Sequence, residues 1–203
     1  MNASTLRRSV AGPAGMLECA IDEPPGAPRG VTVICHPHPQ HGGTMDNKVV
    51  QTLARTFVQL GYRSVRFNFR GVGASQGVWD EGRGEIDDAL AVITAQRDAV
   101  LPLVLAGFSF GGYVAAQAAA SLPEEIKAER LVMVGPSTQK QRVPAVAADT
   151  LVIHGESDEV VPLLATLDWA RPQSLPVVVV PGVGHFFHGQ LTLLKEIVLR
   201  AWH

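Results

Sequence analysis

Short apolar runs alternate with helix-period segments from residue 31 to the end of the chain, and that alternation narrows the fold more than any other feature. The runs cover residues 31–35, 64–67, 103–106, 131–134, 151–153 and 177–180. They are rich in Val, Ile and Leu, as strands buried on both faces are. Amphipathic stretches lie between them. Val49, Leu53, Phe57 and Leu60 share one helical face; Ile86, Leu90 and Ile93 share a second, with Arg97 at its polar edge; Leu191, Leu194, Val198 and Ala201 share a third. Such alternation builds a mostly parallel sheet with helices on both faces. Two further strand-like runs, 5–10 and 16–21, flank an Ala-Gly-Pro-Ala-Gly turn and read as an antiparallel hairpin at the sheet edge. The expectation is an α/β fold of about eight strands in a single domain over residues 1–203, with no internal repeat.

Charge and cysteine usage exclude several classes. The 17 basic and 19 acidic residues leave a net charge of −2, and the sole dibasic pair is Arg7-Arg8. A nucleic-acid binder needs a concentrated cationic face, which this pattern does not supply. No run approaches the ~18 apolar residues that span a bilayer. The basic pair near the N-terminus is not followed by the hydrophobic stretch of a signal peptide. Cys19 and Cys35 sit in apolar, strand-like runs and read as a reduced pair rather than a disulfide framework. The chain is therefore read as cytoplasmic, with no nucleic-acid or membrane partner.

Ligands of open α/β sheets bind beyond the carboxyl ends of the strands, so the strand exits are where chemistry is sought. The run 103–106 exits into Gly107-Phe108-Ser109-Phe110-Gly111-Gly112, and an Ala-rich helical stretch follows, stopping at Pro123. This is G-x-S-x-G between a strand and a helix. It presents the serine hydroxyl on a strained turn, beside the free N–H groups of a helix start. The alternative is a Gly-rich turn with a capping serine. A serine hydroxyl is weakly nucleophilic near neutral pH and needs a base. His185, in Gly184-His185-Phe186-Phe187-His188-Gly189 after the last run, is the leading candidate, with His188 its rival. Glu156, Asp158 and Glu159, after the run 151–153, compete for the acid that orients it. Asp158 is preferred, because Glu159 and Pro162 also read as the opening of a helix. His154 reads as a hydrogen-bonded core residue and His203 as a solvated terminus.

The run 31–35 ends in His36-Pro37-His38-Pro39-Gln40-His41-Gly42-Gly43. Acyl transfer needs N–H donors aimed at the developing oxyanion. One is expected from Phe110, the residue after the nucleophile. Pro37 and Pro39 carry no N–H, which leaves His38 or Gln40 for the second, and His38 is preferred. The histidine cluster could suggest zinc, but His36 lies against the strand end and no further ligand is evident, so no metal or other cofactor is expected. Arg70, in the Gly-rich loop after the run 64–67, is read as an ion-pairing residue that fixes its neighbours, with binding of an anionic substrate the alternative. That loop lacks the third glycine of a dinucleotide site. His36, Gln40, Trp79, Phe110 and Phe186 are the candidate lining of a substrate pocket.

Taken together, His-Pro-His-Pro with Gly42-Gly43, Asn-Phe-Arg-Gly-Val-Gly at 68–73, Gly-Phe-Ser-Phe-Gly-Gly at 107–112 and Gly-His-Phe-Phe-His-Gly at 184–189 resemble the α/β-hydrolase superfamily. The likeness is to its small bacterial members of the dienelactone-hydrolase-like or Xaa-Pro-peptidase-like branch. The resemblance implies an eight-stranded sheet, a Ser109–Asp158–His185 triad and carboxylic-ester hydrolysis through an acyl-enzyme that water resolves. Many relatives insert a helical lid after the strand at 131–134. Here only residues 135–150 precede the next run, too few for a lid. The expected activity is hydrolysis of small acyl esters. A thioester or small-peptide substrate uses the same triad, and a non-catalytic ligand-binding role on the same fold is the remaining alternative. Natural substrate, acyl length and oligomeric state stay open at this point.

Overall fold

The computed structural model of the protein describes residues 5–202; His203 lies outside the described residues. Eight strands form one sheet: β1 (Leu6–Gly12), β2 (Gly15–Asp22), β3 (Gly30–Cys35), β4 (Tyr62–Phe67), β5 (Leu103–Phe108), β6 (Arg130–Val134), β7 (Leu151–Gly155) and β8 (Val177–Val180). Their spatial order is β1-β2-β4-β3-β5-β6-β7-β8. The β1–β2 and β2–β4 pairs are antiparallel, and every other pair is parallel. The N-terminal hairpin sits at one edge, as its sequence suggests. Strand β5, which leads into the serine turn, sits in the middle, flanked by β3 and β6.

Five helices cover the two faces: α1 (Lys48–Gln59), α2 (Arg83–Gln96), α3 (Phe110–Ser121), α4 (Leu163–Ala170) and α5 (Leu191–Arg200). The period-2 alternation of each strand divides the core. Leu103 and Leu105 of β5 join the cluster with Ala89, Val92, Val114 and Ala118 of α2 and α3. Val104, Ala106 and Phe108 point the other way, to Val49, Leu53 and Phe57 of α1 and Leu194 and Val198 of α5. Two-sided burial explains why these strands read as continuous apolar runs. The edge strand β8 departs from that expectation, with Val178 and Val179 each 37% exposed.

Helix α2 also departs from its simple periodic reading. Its fully buried face carries Glu85, Asp88, Ala89, Val92 and Ile93, while Ile86 and Leu90 are only partly buried. Two carboxylates are tolerated there because each is paired. Glu85 accepts N–H bonds from Gly82 (2.8 Å) and Asp80 (3.0 Å) at the helix start. Asp88 takes a two-pronged bond from Arg70, at 2.8 and 3.0 Å, and the Arg70 backbone N–H at 2.9 Å. Arg70 thus ties the loop after β4 to α2, as its sequence position suggests. Among the described residues no helix is long and apolar enough to cross a membrane. Cys19 and Cys35 are both free and buried, and burial pushes the Cys19 thiol up to about 12.

Candidate active site

Ser109 is placed by the geometry of the strand-to-helix turn. Its φ of 56° and ψ of −120° lie where non-glycine residues are strained. The strain is held by packing and hydrogen bonds around it. The Ser109 N–H donates to Val134 O (2.9 Å), and its carbonyl accepts from the N–H groups of Gly112 (2.9 Å) and Ser137 (3.2 Å). Neither flanking glycine tolerates a side chain. A Cβ on Gly107 would lie 2.1 Å from Gly111 O, and one on Gly111 would lie 2.2 Å from Cys35 O. Helix α3 starts at Phe110, immediately after the serine. The Phe110 and His38 N–H groups have no acceptor among the described residues.

Asp158 and His185 arrive from the exits of β7 and β8. Asp158 Oδ1 accepts the N–H groups of Val160 (2.9 Å) and Val161 (2.8 Å), and Oδ2 accepts a hydrogen bond from His185 Nδ1 at 2.6 Å. Burial alone would raise the Asp158 carboxyl. The bonds from His185 and from the Val161 and Val160 backbone outweigh it and hold the carboxyl below the usual carboxylate range. With Nδ1 engaged, Nε2 is the free nitrogen of His185. Its ring is held between Phe108 (4.8 Å between centroids) and Phe186 (5.0 Å). The rivals are elsewhere. Glu156 is exposed and accepts the Gly182 N–H, Glu159 is exposed, and His188 is exposed beside Phe186. His154 is fully buried, with Nε2 bonded to Val161 O at 2.9 Å and 3.4 Å from Asp158 Oδ2. Burial lowers its pKa and keeps it neutral.

A cavity of about 400 Å³ opens over these residues. It is lined by Ser109, Phe110 and His185, by Pro37, His38, His41, Gly42, Gly43 and Asn47 from β3 to α1, by Ser137 and Lys140, and by Val160, Val161 and Phe186. Three expected lining residues are elsewhere. His36 is wholly buried: its Nδ1–H donates to Pro37 O (2.6 Å) and its Nε2 accepts the Phe69 N–H (3.1 Å). Burial drives its pKa down to about 3. Gln40 is exposed and gives its backbone N–H to His38 Nδ1 at 3.2 Å. Trp79 packs its ring on His38 (4.6 Å) and Phe110 (5.3 Å) outside the cavity lining. Asn47, Ser137, Lys140, Val160 and Val161 line the cavity without a motif to mark them. Their one sequence signal is position, in loops at the carboxyl end of the sheet. No group of three or more potential metal ligands occurs among the described residues.

Between β6 and β7 the chain forms no helix, and residues 135–150 leave the cavity without a lid. Comparison with known proteins agrees with this architecture. An α/β serine hydrolase homologue from Coxiella burnetii is 41% identical, with a TM-score of 0.87 and 96% of each chain covered. A lidless α/β serine hydrolase from Xanthomonas campestris is 37% identical, with a TM-score of 0.89 over 99% of this chain and 94% of the other. An uncharacterized protein of Rickettsia prowazekii is 41% identical over 123 residues, 56% of this chain, and the match spans about half (49%) of that curated relative's length. The family model described as Serine aminopeptidase, S33 matches residues 26–148, more than half of the 203. The central sheet, the serine turn and these relatives together place the chain in the serine aminopeptidase S33 family of α/β serine hydrolases.

Proposed function

We propose that the protein hydrolyses small carboxylic esters through a Ser109–His185–Asp158 triad. The observation that carries this reading is the pairing of His185 Nδ1 with Asp158 at 2.6 Å, with Ser109 and His185 lining one open cavity. Ser109 Oγ attacks the carbonyl carbon and gives its proton to His185 Nε2. The N–H groups of Phe110 and His38 receive the oxyanion. Gln40 is the weaker second donor, since its N–H is already bonded to His38 Nδ1. The C–O bond then breaks, and the alcohol leaves with the proton from Nε2. Water, deprotonated by the same nitrogen, attacks the acyl-enzyme, releases the acid and restores Ser109. Asp158 stays ionised throughout, and its depressed pKa supports that role.

A second reading, hydrolysis of a small peptide bond, is favoured by the family's name alone. Holding a free α-ammonium group calls for a carboxylate, and the described residues lining the cavity include no Asp or Glu. Labelling with a fluorophosphonate tests the common nucleophile. Wild type should label and Ser109→Ala should not; equal labelling would sink both readings. A matched panel of short acyl esters, thioesters and aminoacyl amides then separates the substrate classes.

A further inference from the structure

The cavity lining has one formal charge. Pro37, Phe110, Val160, Val161 and Phe186 supply apolar surface, while His38, His41, Asn47 and Lys140 supply polar groups. Lys140 is exposed, makes no ion pair with a described residue, and stands on the segment 135–150 where a lid would begin. Its charge reaches the oxyanion loop: burial, His41 and Lys140 together hold the His38 pKa below the ordinary histidine value. Asn47 adds a donor. Its Oδ1 accepts the Val49 N–H at 2.9 Å, and its side-chain NH₂ has no acceptor among the described residues. Two acids adjoin it: Asp158, buried behind His185 at 2.6 Å from Nδ1, and exposed Glu159, which lines a separate depression that shares Val160, His185 and Phe186 with the main cavity. A negative charge therefore meets attraction on the Lys140 side and repulsion on the Glu159 side, so the preference has a direction as well as a sign.

We infer that the site prefers esters bearing a carboxylate, with Lys140 as the residue that selects them; this rests on the ester reading above. Lys140 acts through charge in a solvated rim, so its effect is modest and salt-dependent.

The test compares kcat/KM for a neutral short acyl ester, its hemisuccinate counterpart with the carboxylate on the acyl side, and an acetoxybenzoate with the carboxylate on the alcohol side. In wild type at low salt, at least one anionic ester should exceed its neutral counterpart of equal length. Lys140→Gln should reduce that anionic-to-neutral ratio roughly two- to fivefold, and Lys140→Glu should reduce it further. Lys127→Gln, whose lysine pairs with Glu124 outside the cavity, should leave the ratio alone. Raising the salt should narrow the wild-type ratio and leave the Lys140→Gln ratio flat. Whichever anionic ester responds tells which side of the scissile bond carries the charge. Equal ratios in wild type and both Lys140 variants would overturn the inference while the ester reading stands. Loss of Ser109-dependent turnover on all three esters would overturn the ester reading itself.

Discussion

Asp88 and Asp158 are both wholly buried carboxylates, and each is held by a cation-capable side chain at the carboxyl end of the sheet. Asp88 faces Arg70, whose guanidinium keeps its proton at any physiological pH and binds in a fixed two-pronged fork. Asp158 faces His185, whose imidazole, unlike a guanidinium, exists in both neutral and protonated forms. The same physical device, a desolvated anion paired in place, gives a permanent brace in one case and, on the proposed reading, a proton-handling pair in the other. The partner's chemistry makes the difference.

Four changes break or sharpen that contrast, from the largest effect to the smallest. Ser109→Ala should lower kcat by about 10⁵–10⁶-fold with little change in the unfolding midpoint, measured by ester turnover and urea titration. Asp158→Asn should lower kcat by about 10³–10⁴-fold, because an amide neither fixes the His185 tautomer nor stabilises its imidazolium. Asp88→Asn should instead cost stability, about 3–5 kcal/mol, by leaving the Arg70 charge buried without its partner. Denaturant unfolding reads this as a shifted midpoint, and the folded fraction should still turn over ester. A catalytic loss at Asp88 as large as at Asp158 would remove the distinction between brace and proton-handling pair.

The last change is of pH. Turnover should be lost in acid, since only a neutral imidazole at His185 accepts the serine proton. Stability follows a different group. His36 titrates near the ordinary 6.5 when unfolded and near 3 when folded. Between those values the unfolded chain holds the extra proton. Its contribution is therefore complete above 6.5 and is lost as pH falls toward 3, at about 1.4 kcal/mol per pH unit. A urea midpoint unchanged from pH 7 to pH 4 would show that His36 is not held neutral in the fold. The Asp158 carboxyl, depressed in the fold, adds a loss only below the ordinary carboxylate range.

The legible parts of the site were those where local backbone and chemistry coincide. A strand followed by Gly107-Phe108-Ser109-Phe110-Gly111 leaves a single way to turn, because a Cβ at either glycine would meet backbone. The strand-exit positions of Asp158 and His185 and the pairing of the hairpin β1–β2 were legible for a similar reason: they follow from short runs and the turns next to them. The pocket lining was not legible. His36, Gln40 and Trp79 stand near the site in sequence, yet His36 turns inward to Phe69, Gln40 outward to solvent, and Trp79 against His38. Side-chain direction in a loop depends on dihedrals set by distant contacts, which no local pattern encodes. The buried face of α2 misled for a related reason: Glu85 and Asp88 look like solvent-facing residues until their partners Gly82 and Arg70 are brought to them.

By itself the sequence determined the strand and helix rhythm, the serine turn and the shortness of the segment 135–150, because each depends on neighbours within a few residues. Only the tertiary structure decided which carboxylate meets His185, which histidines are sealed in the core, and that Asn47, Lys140 and Val160 share one cavity. Those facts join loops that the chain order keeps far apart, and a sheet that sets five strand exits side by side is what brings them together.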